Sequence, residues 1–364
     1  MRILHRVLLL VLVLQTPFLI ASDTFSSDKT KRIVKTFELN ENTYVEIDNK
    51  YGDIEVEIWD KDSIKFEIEI IAHSDDEEEL DEMLDVIEID LKASSSFIVV
   101  QTNWSNDIGI FKKGFLKINQ EVSNNVRYKV NYHIKLPAGI DLDITNSFGN
   151  IFLSDYIGKL EVDLAYGDLR AHNISNLKQL KVKSGKVKVK ELSKGRVILN
   201  SVKPFDIEKA SELTIESSSS DIRIEEIEKL SIKSNHDDIS IDNVKELSGN
   251  LSMSDLIIEE LGEKINTISK YGTITIKNIS SLKDNTYLEG TKTDFKLKFN
   301  PRIAMNLDIS ITEKENLTND SFIVIKSTEK ESSELWRIKG YVYQKGETEL
   351  KIKCINGYVQ LNAE

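Results

Sequence analysis

The chain has 364 residues, of which 40% are hydrophobic and 30% charged, a balance typical of a folded protein rather than a disordered one. The formal net charge is −13, so there is no overall basic surplus to displace counterions, and this disfavours nucleic acid or an anionic membrane as the main partner. Cys354 is the single cysteine, which excludes an internal disulfide and a cysteine-based zinc site. We expect it to be a small buried residue.

Residues 1–21 have the pattern of a secretory signal peptide. Arg2 and Arg6 give a positive start, Val7–Leu14 is an uninterrupted apolar run, and Leu19–Ala21 is an acceptable cleavage site. The apolar segment is short for a membrane span, which needs about 20 residues, although an uncleaved anchor is the alternative. We therefore predict an exported protein that spans no membrane after signal cleavage.

The next stretches divide into a linker, one coil and an insertion. Residues 22–39 are predicted to be a linker, 40–62 a first solenoid coil, and 63–141 a β-rich excursion containing one helix at 74–87. Ser74–Glu77 matches a capping box at the start of that helix. The apolar stripe of the helix consists of Leu80, Leu84 and Ile87. The strand-like stretches around the helix are Ile64–Ile71, Phe97–Gln101 and Val126–Leu136.

An internal repeat organises residues 142–298. Similar turns recur every 17 or 18 residues, and the regularity predicts about eight stacked coils. Taking the glycine of Phe148-Gly149 as position zero, the later zero positions are Gly167, Gly185, Lys203, Ser220, Asp237, Ser254 and Gly272. Residues 299–364 are predicted to hold the C-terminal coils and a cap.

Apolar and polar residues alternate after each turn. Positions +2, +4 and +7 are apolar or aromatic in all eight units, as in Ile222, Ile224 and Ile227, whereas position +3 is mostly polar. This alternation predicts strands with one buried face, which must stack to bury it. The predicted fold class is all-β, a parallel β-solenoid (β-helix) with a small α+β excursion near the N-terminus. Leucine-rich repeats and a two-sheet sandwich are the weaker alternatives, because the leucine consensus is missing and sandwich strands rarely keep so constant a spacing.

Three segments carry a resemblance to a known family: Val45–Asp60, Tyr128–Ile151 and the final Asn356–Val359. In this order they resemble the bacterial putative-adhesin β-solenoid family, which is similar to the head GIN domain. The resemblance spans about residues 40–364. It implies a bacterial protein that is periplasmic, surface-exposed or secreted, and it supplies no catalytic residue.

No catalytic, cofactor or metal motif occurs in the sequence. The histidines have no HExxH or paired spacing, and nucleophile elbows, phosphate loops and dinucleotide fingerprints are absent. Asp221, Asp238 and Asp255 occupy position +1 of consecutive coils and should stack. Ordinary turn chemistry is the favoured interpretation of this edge, and a bound cation is the alternative. Asn146, Asn200, Ser217, Ser234 and Ser269 at position −3 are expected to satisfy backbone groups between coils.

The sequence favours a non-enzymatic interaction protein that presents a flat sheet to an unknown envelope protein or glycan. Position +3 supplies the predicted binding face, made of Arg170, Lys188, Arg223, Ser240 and Thr275. The alternatives are an envelope-stress sensor and, less favoured, a polysaccharide lyase or hydrolase. The lyase or hydrolase is less favoured because the coils are short and no long loops recur at one edge to build a cleft.

Overall fold

A computed structural model of the chain describes residues 27–40, 42–74, 77–104 and 127–363. The predicted signal peptide lies outside these residues, as do Asp75 and Asp76 of the predicted capping box. None of the helices described is both long enough and apolar enough to traverse a lipid bilayer.

The described residues are nearly all in strands. The first group comprises β1 (Ser27–Glu38), β2 (Tyr44–Lys50), β3 (Ile54–Ile58), β4 (Ser63–Ser74), the helix α1 (Glu77–Val86), β5 (Ile87–Ala93), β6 (Phe97–Trp104) and β7 (Arg127–Leu136). The repeat comprises β8 (Asp141–Ser147), β9 (Ile151–Leu153), β10 (Tyr156–Ala165), β11 (Leu169–Ser218), β12 (Asp221–Asn235), β13 (Asp238–Ser252), β14 (Asp255–Ile279) and β15 (Thr286–Phe299). The last group comprises β16 (Met305–Ile311), a 3-10 helix (Lys314–Asn316), β17 (Leu317–Asn319), β18 (Ile323–Lys330), β19 (Trp336–Val342), β20 (Glu349–Ile355) and β21 (Val359–Asn362).

Parallel pairing between successive repeats builds the sheet. Ile222 of β12 lies beside Phe205 of β11, and Ile239 of β13 lies beside Ile222, so each residue pairs with its counterpart one repeat away. The same parallel arrangement joins β8 to β10, β9 to β11, β13 to β14 and β14 to β15. Because the register is kept, side chains of one repeat position form rows across the sheet. The all-β class is confirmed, and most of this sheet is parallel.

The core consists of the alternating positions. All the residues at +2, +4 and +7 of the eight predicted units are buried, and Ile222, Ile224 and Ile227 are only 0%, 2% and 1% exposed. Each such isoleucine contributes about 1.5–3 kcal/mol to stability through burial. The predicted in–out alternation is therefore confirmed.

Two inserted blocks interrupt the repeat without interrupting its pairing. β2 pairs with β8 and β3 with β9 across the block that contains β4 to β7. β15 likewise pairs with β20 and β21 across the block that contains β16 to β19. Antiparallel pairs occur inside the blocks, between β4 and β7 and between β16 and β19.

Each turn of the repeat holds a non-glycine residue in the left-handed region, where L-residues cost about 1–2 kcal/mol. The φ angles of Tyr51, Phe148 and Tyr166 are 65°, 60° and 58°. We call the row formed by these residues the turn row. Its further members are Ser184, Ser201, Ser219, His236, Met253, Tyr271, Lys292 and Asn356.

One predicted turn position is wrong. Ser201 is the left-handed residue of its turn, so position zero is Val202, not Lys203. Phe205 keeps its predicted register beside Ile222, and the additional residue therefore lies between the turn and the strand. The buried residue at −3 is consequently Leu199, while the predicted Asn200 is exposed.

The predicted linker at 22–39 is also wrong over its described part. From Ser27 onward the chain forms β1, which pairs antiparallel with β4 along its whole length. Ile33 and Phe37 pack against the core, while Lys29, Lys31 and Lys35 of the same strand are exposed at the sheet edge. Charged side chains on an edge strand protect it from further pairing, and the same charges make the segment look like a polar linker in the sequence.

Candidate functional site: a basic segment beside an aromatic turn row

The predicted binding face lies on the outer side of the sheet. Arg170, Lys188 and Arg223 are exposed, and Ser240 and Thr275 are half-buried. Arg223 pairs with Ser240 of the next coil, and Thr275 pairs with Lys296. These residues belong to one row, which we call the outer row.

Two shallow cavities bring part of the outer row together. The first, of about 450 Å³, is lined by Arg170 and Lys188 together with His172 and Lys190, and we call it the outer cavity. The second, of about 320 Å³, is lined by Lys188, Arg223 and Ser240 together with several carboxylates. Thr275 lines neither cavity, so the structure does not place all five predicted residues at one concave surface.

The charge of the outer row changes along the sheet. Arg223 donates a hydrogen bond to Asp221 at 2.7 Å, and Asp206 lies beside it in the row, so two carboxylates outweigh its positive charge. Arg170 and Lys188 have no salt bridge to any described residue. The uncompensated positive charge of the row therefore concentrates at its earlier coils.

That charge belongs to a larger basic segment, Lys178–Lys203. It contains eight lysines and one arginine but a single acid, Glu191, in a chain whose net charge is −13. Lys181 and Arg196 are neutralised by Asp163 and Glu216 on neighbouring coils, at 2.6 and 2.8 Å. The segment's lysines with no salt bridge to a described residue are Lys183, Lys186, Lys188, Lys190, Lys194 and Lys203, and all are exposed.

Two of the three acids that line the outer cavity, Glu55 and Glu57, have partners of their own. His133 lies 3.1 Å from Glu55 and 3.4 Å from Glu57, and the Lys135 ammonium lies 2.5 Å from Glu57. The hydrogen bond from Lys135, with the neighbouring His133, holds the pKa of Glu57 below its ordinary value. Glu57 therefore already has a cationic partner in Lys135, whereas Glu208, which has no salt bridge to a described residue, offsets part of the positive charge of the outer cavity.

Stacked aromatic rings of the turn row lie next to the basic segment. The ring centroids of Tyr51 and Phe148 are 5.1 Å apart, and those of Phe148 and Tyr166 are 5.0 Å apart, with the planes within 16° and 8° of parallel. Phe148 and Tyr166 are 48% and 47% exposed. The stack ends at Tyr166 because the next residue of the turn row is Ser184, which has no ring.

A further cavity lies where the aromatic stack stops. It has a volume of about 370 Å³ and is lined by Asp168, Gly185, Lys186, Ser201, Lys203 and Ser219. The ammonium of Lys183 stands 5.5 Å from the centroid of the Tyr166 ring, within the range of a cation–π contact. We call this concave surface the turn cavity.

The described residues hold no metal-binding cluster of three or more His, Cys, Asp or Glu side chains. Cys354 is buried, as predicted, and burial raises the pKa of its thiol to about 11. A thiol with that pKa is almost entirely protonated near neutral pH and is a poor nucleophile.

The Asp221, Asp238 and Asp255 row is in register, as predicted. Asp255 accepts a hydrogen bond from the backbone N–H of Thr273 at 2.7 Å, and Asp221 binds Arg223. On earlier coils Asp168 accepts in the same way from the N–H of Lys186 at 3.0 Å. Asp168 and Asp255 therefore cap the backbone of the next repeat, a variant of the turn chemistry that the sequence favoured, whereas Asp221 binds a side chain of its own repeat.

Comparisons with known proteins give little guidance. No protein-family model matches this chain, and no curated protein matches it. Three solved structures are similar, and each similarity covers 92% of this chain. A putative cell adhesion protein from Clostridium sporogenes has 11% identity and a TM-score of 0.21, with 100% of its own chain covered. Putative adhesins from Bacteroides fragilis and Parabacteroides merdae have 10% and 14% identity, TM-scores of 0.28 and 0.26, and 97% and 95% of their own chains covered. Their names agree with the adhesin resemblance, whereas no match supports the head GIN assignment. With identities and TM-scores this low, no conclusion about this chain rests on them.

Two features of the site were missed in the sequence although it held signals for both. The lysine density of Lys178–Lys203 is visible by counting, but the overall acidic charge concealed it. Tyr51-Gly52, Phe148-Gly149 and Tyr166-Gly167 repeat an aromatic–glycine pair at the turn. That pair predicts a stack only once the register between distant coils is known.

Proposed function

We propose that this chain is an exported β-solenoid of the bacterial envelope that acts as a non-catalytic binding scaffold, of the kind named adhesins. One observation carries the proposal: exposed cations without ionic partners, Arg170 and Lys188 foremost, lie on an outer sheet face whose residues are held in register from coil to coil. Parallel pairing across β8 to β15 supports the winding of the chain into stacked coils.

The geometry favours an extended partner over a small one. The outer cavities are shallow, and neighbouring strands of a sheet lie about 4.8 Å apart, so a ligand lying across the coils meets one outer-row side chain per step. Each contact contributes little, and affinity then comes from their number, with a few stronger positions. An envelope protein segment or a glycan chain has the required shape.

A graded alanine series on the purified mature protein tests this function. Retention on isolated envelope material is measured for the wild type, for Arg170→Ala, Lys188→Ala and Arg223→Ala singly, and for the triple variant. We expect a stepwise loss of retention with unchanged melting temperatures. The matched control changes three exposed residues on other sides of the coils, Lys229, Lys233 and Glu212, to alanine, and retention should persist.

Two outcomes would contradict the scaffold function. Retention unaffected by the triple variant would remove the outer row as the binding face. Turnover of envelope polysaccharide, abolished by one Asp, Glu or His substitution, would instead make the protein an enzyme. Growth under envelope stress with and without the gene separates a stress sensor from a scaffold, because only the sensor alters the stress response in the absence of a ligand.

A further inference from the structure

We propose that the basic segment, together with the open face of Tyr166, binds an anionic polysaccharide whose sugars carry carboxylates, such as a chain of uronic acids. The proposal rests on the scaffold function and names its ligand class. It starts from a contrast in charge: six exposed lysines without ionic partners occur within Lys178–Lys203, in a chain whose net charge is −13.

The lysines are arranged along a line. Lys186, Lys188 and Lys190 alternate with the buried Val187 and Val189 on one strand, so they point outward about 6.6–7 Å apart. Arg170 of the preceding coil joins Lys188 and Lys190 in the outer cavity. A polymer with one negative charge per sugar can meet these cations in succession.

Tyr166 supplies a different kind of contact. Phe148 stacks on one face of its ring, and on the other side the turn row continues with the small Ser184. The Lys183 ammonium lies 5.5 Å from the ring centroid, and Tyr166 remains 47% exposed, so the ring presents a partly open face. Such a face can take the C–H side of a sugar ring, while the neighbouring lysine holds a carboxylate. Hydroxyl groups of Ser201 and Ser219 and the carboxylate of Asp168 line the adjoining turn cavity and can hydrogen-bond to sugar hydroxyls.

The charge distribution disfavours a nucleic acid. Double-stranded DNA carries one negative charge per about 1.7 Å of its axis, and a long contact would run past the acidic coils on both sides of the basic segment. Asp141 and Asp143 before the segment and Glu208 and Glu212 after it have no salt bridge to a described residue. A polysaccharide has wider charge spacing and neutral hydroxyls between its carboxylates, so it can cross the basic segment without this repulsion.

Titration calorimetry with an oligomer of galacturonic acid tests the proposal on the mature protein at about 0.15 M salt. We expect binding that weakens about tenfold when the carboxylates of the same oligomer are methyl-esterified. The double variant Lys186→Gln/Lys188→Gln should weaken binding about tenfold, whereas Lys229→Gln/Lys298→Gln removes two exposed lysines elsewhere and should change affinity less than twofold.

The tyrosine is tested with a matched pair. Tyr166→Leu should weaken binding about fivefold, whereas Tyr271→Leu should leave it within twofold. Both residues have left-handed backbones and a lysine over the ring, so the pair shares any cost to folding. If Tyr166→Leu and Tyr271→Leu have the same melting temperature, the loss of affinity in Tyr166→Leu is due to the missing contact with the ligand.

Several results would overturn the proposal. Equal binding of the methyl ester would show that carboxylates are not recognised, and equal effects of the two lysine pairs would show that only overall charge matters. A DNA duplex that binds as tightly at the same salt would assign the surface to nucleic acid. Failure of the oligomer to bind, while envelope retention stays sensitive to Arg170→Ala and Arg223→Ala, rejects the ligand class and leaves the scaffold function standing.

Discussion

Two sets of turns hold successive repeats in register by different means. In the earlier coils position zero is glycine, at Gly52, Gly149, Gly167 and Gly185, and we call these the glycine turns. A Cβ atom built on Gly149 would lie 1.8 Å from the carbonyl oxygen of Gly52, and one on Gly167 would lie 1.9 Å from that of Gly149. The backbones therefore touch directly, and no larger residue fits there.

In three consecutive later repeats position zero carries a buried polar side chain, at Ser220, Asp237 and Ser254, and we call these the polar turns. The Asp237 carboxylate accepts hydrogen bonds from the N–H of Ser220 at 2.7 Å, the N–H of Asn235 at 3.1 Å and the hydroxyl of Ser234 at 2.6 Å. Ser254 in turn accepts from the N–H of Asp237 at 3.1 Å.

Close backbone contact fixes the register at the glycine turns, whereas side-chain hydrogen bonds fix it at the polar turns. The glycine turns bring carbonyls and amides together and leave the exposed positions of the turn row to aromatic rings. The polar turns fill the space inside the turn with hydroxyls and a carboxylate, and their turn row carries Ser219, His236 and Met253. Stacked rings and the beginning of the basic segment thus lie on the glycine turns.

The largest effect should come from the core that both sets share. Val189→Asp near the glycine turns and Ile224→Asp near the polar turns each bury an unpaired charge, and each should cost more than about 4 kcal/mol. Thermal unfolding measures both losses. Arg223→Ser, one residue from Ile224 but exposed, should change stability by less than about 0.5 kcal/mol. A stable Ile224→Asp would contradict the proposed register.

Gly149→Ala breaks a glycine turn. The added methyl group collides with the Gly52 carbonyl, so we expect a loss of about 3 kcal/mol in the free energy of unfolding. Gly139→Ala is the control, since no heavy atom lies within 4 Å of its added Cβ. Equal denaturant midpoints for the two variants would show that close backbone contact does not hold these turns.

Asp237→Ala breaks a polar turn. Two backbone N–H groups and the Ser234 hydroxyl lose their acceptor inside the protein, which should cost about 3 kcal/mol. The neighbouring Asp238 is exposed, and Asp238→Ala should change stability by less than about 0.5 kcal/mol in the same urea titration. If the two variants unfolded alike, the buried network would not be what fixes these turns.

The smallest effect concerns the turn row itself. Phe148→Ala removes two stacked contacts, with Tyr51 and Tyr166, and should cost about 1–2 kcal/mol. His236→Ala at the equivalent polar turn should cost less than about 0.5 kcal/mol, because the side chain is exposed. A double-mutant cycle between Phe148 and Tyr166 isolates the stacking energy. A coupling energy of zero would mean that stacking of the two rings does not stabilise the folded protein.

The repeat was predictable because its signal is local and recurs. Ile222, Ile224 and Ile227 alternate as a strand must, and seven of the eight predicted turn positions coincide with the observed turns. Val202 was missed since one extra residue before Phe205 leaves the apolar pattern intact while it shifts the turn.

The site was less predictable because it depends on alignment between coils. Phe148 meets Tyr51 only because β2 pairs with β8, far away in sequence. Arg223 differs from Lys188 in its hydrogen bond to Asp221, and neighbours on adjacent repeats are visible only in three dimensions. A single sequence shows which residues point outward but not which charges remain uncompensated.

The inserted blocks also determine whether the chain can grow into fibres. An open stack of parallel strands offers its terminal edges to the next molecule, as amyloid does. Here β6 lies on β2 and is itself followed by the antiparallel β5, while β16 lies on β20 and is followed by the antiparallel β19. The outermost strand of the first block, β5, therefore runs against the repeat, whereas β18 pairs antiparallel with β19 and runs with it. The inserted blocks thus replace the regular parallel repeat at its ends with short strands in antiparallel pairs, which disfavours the in-register addition of a second copy.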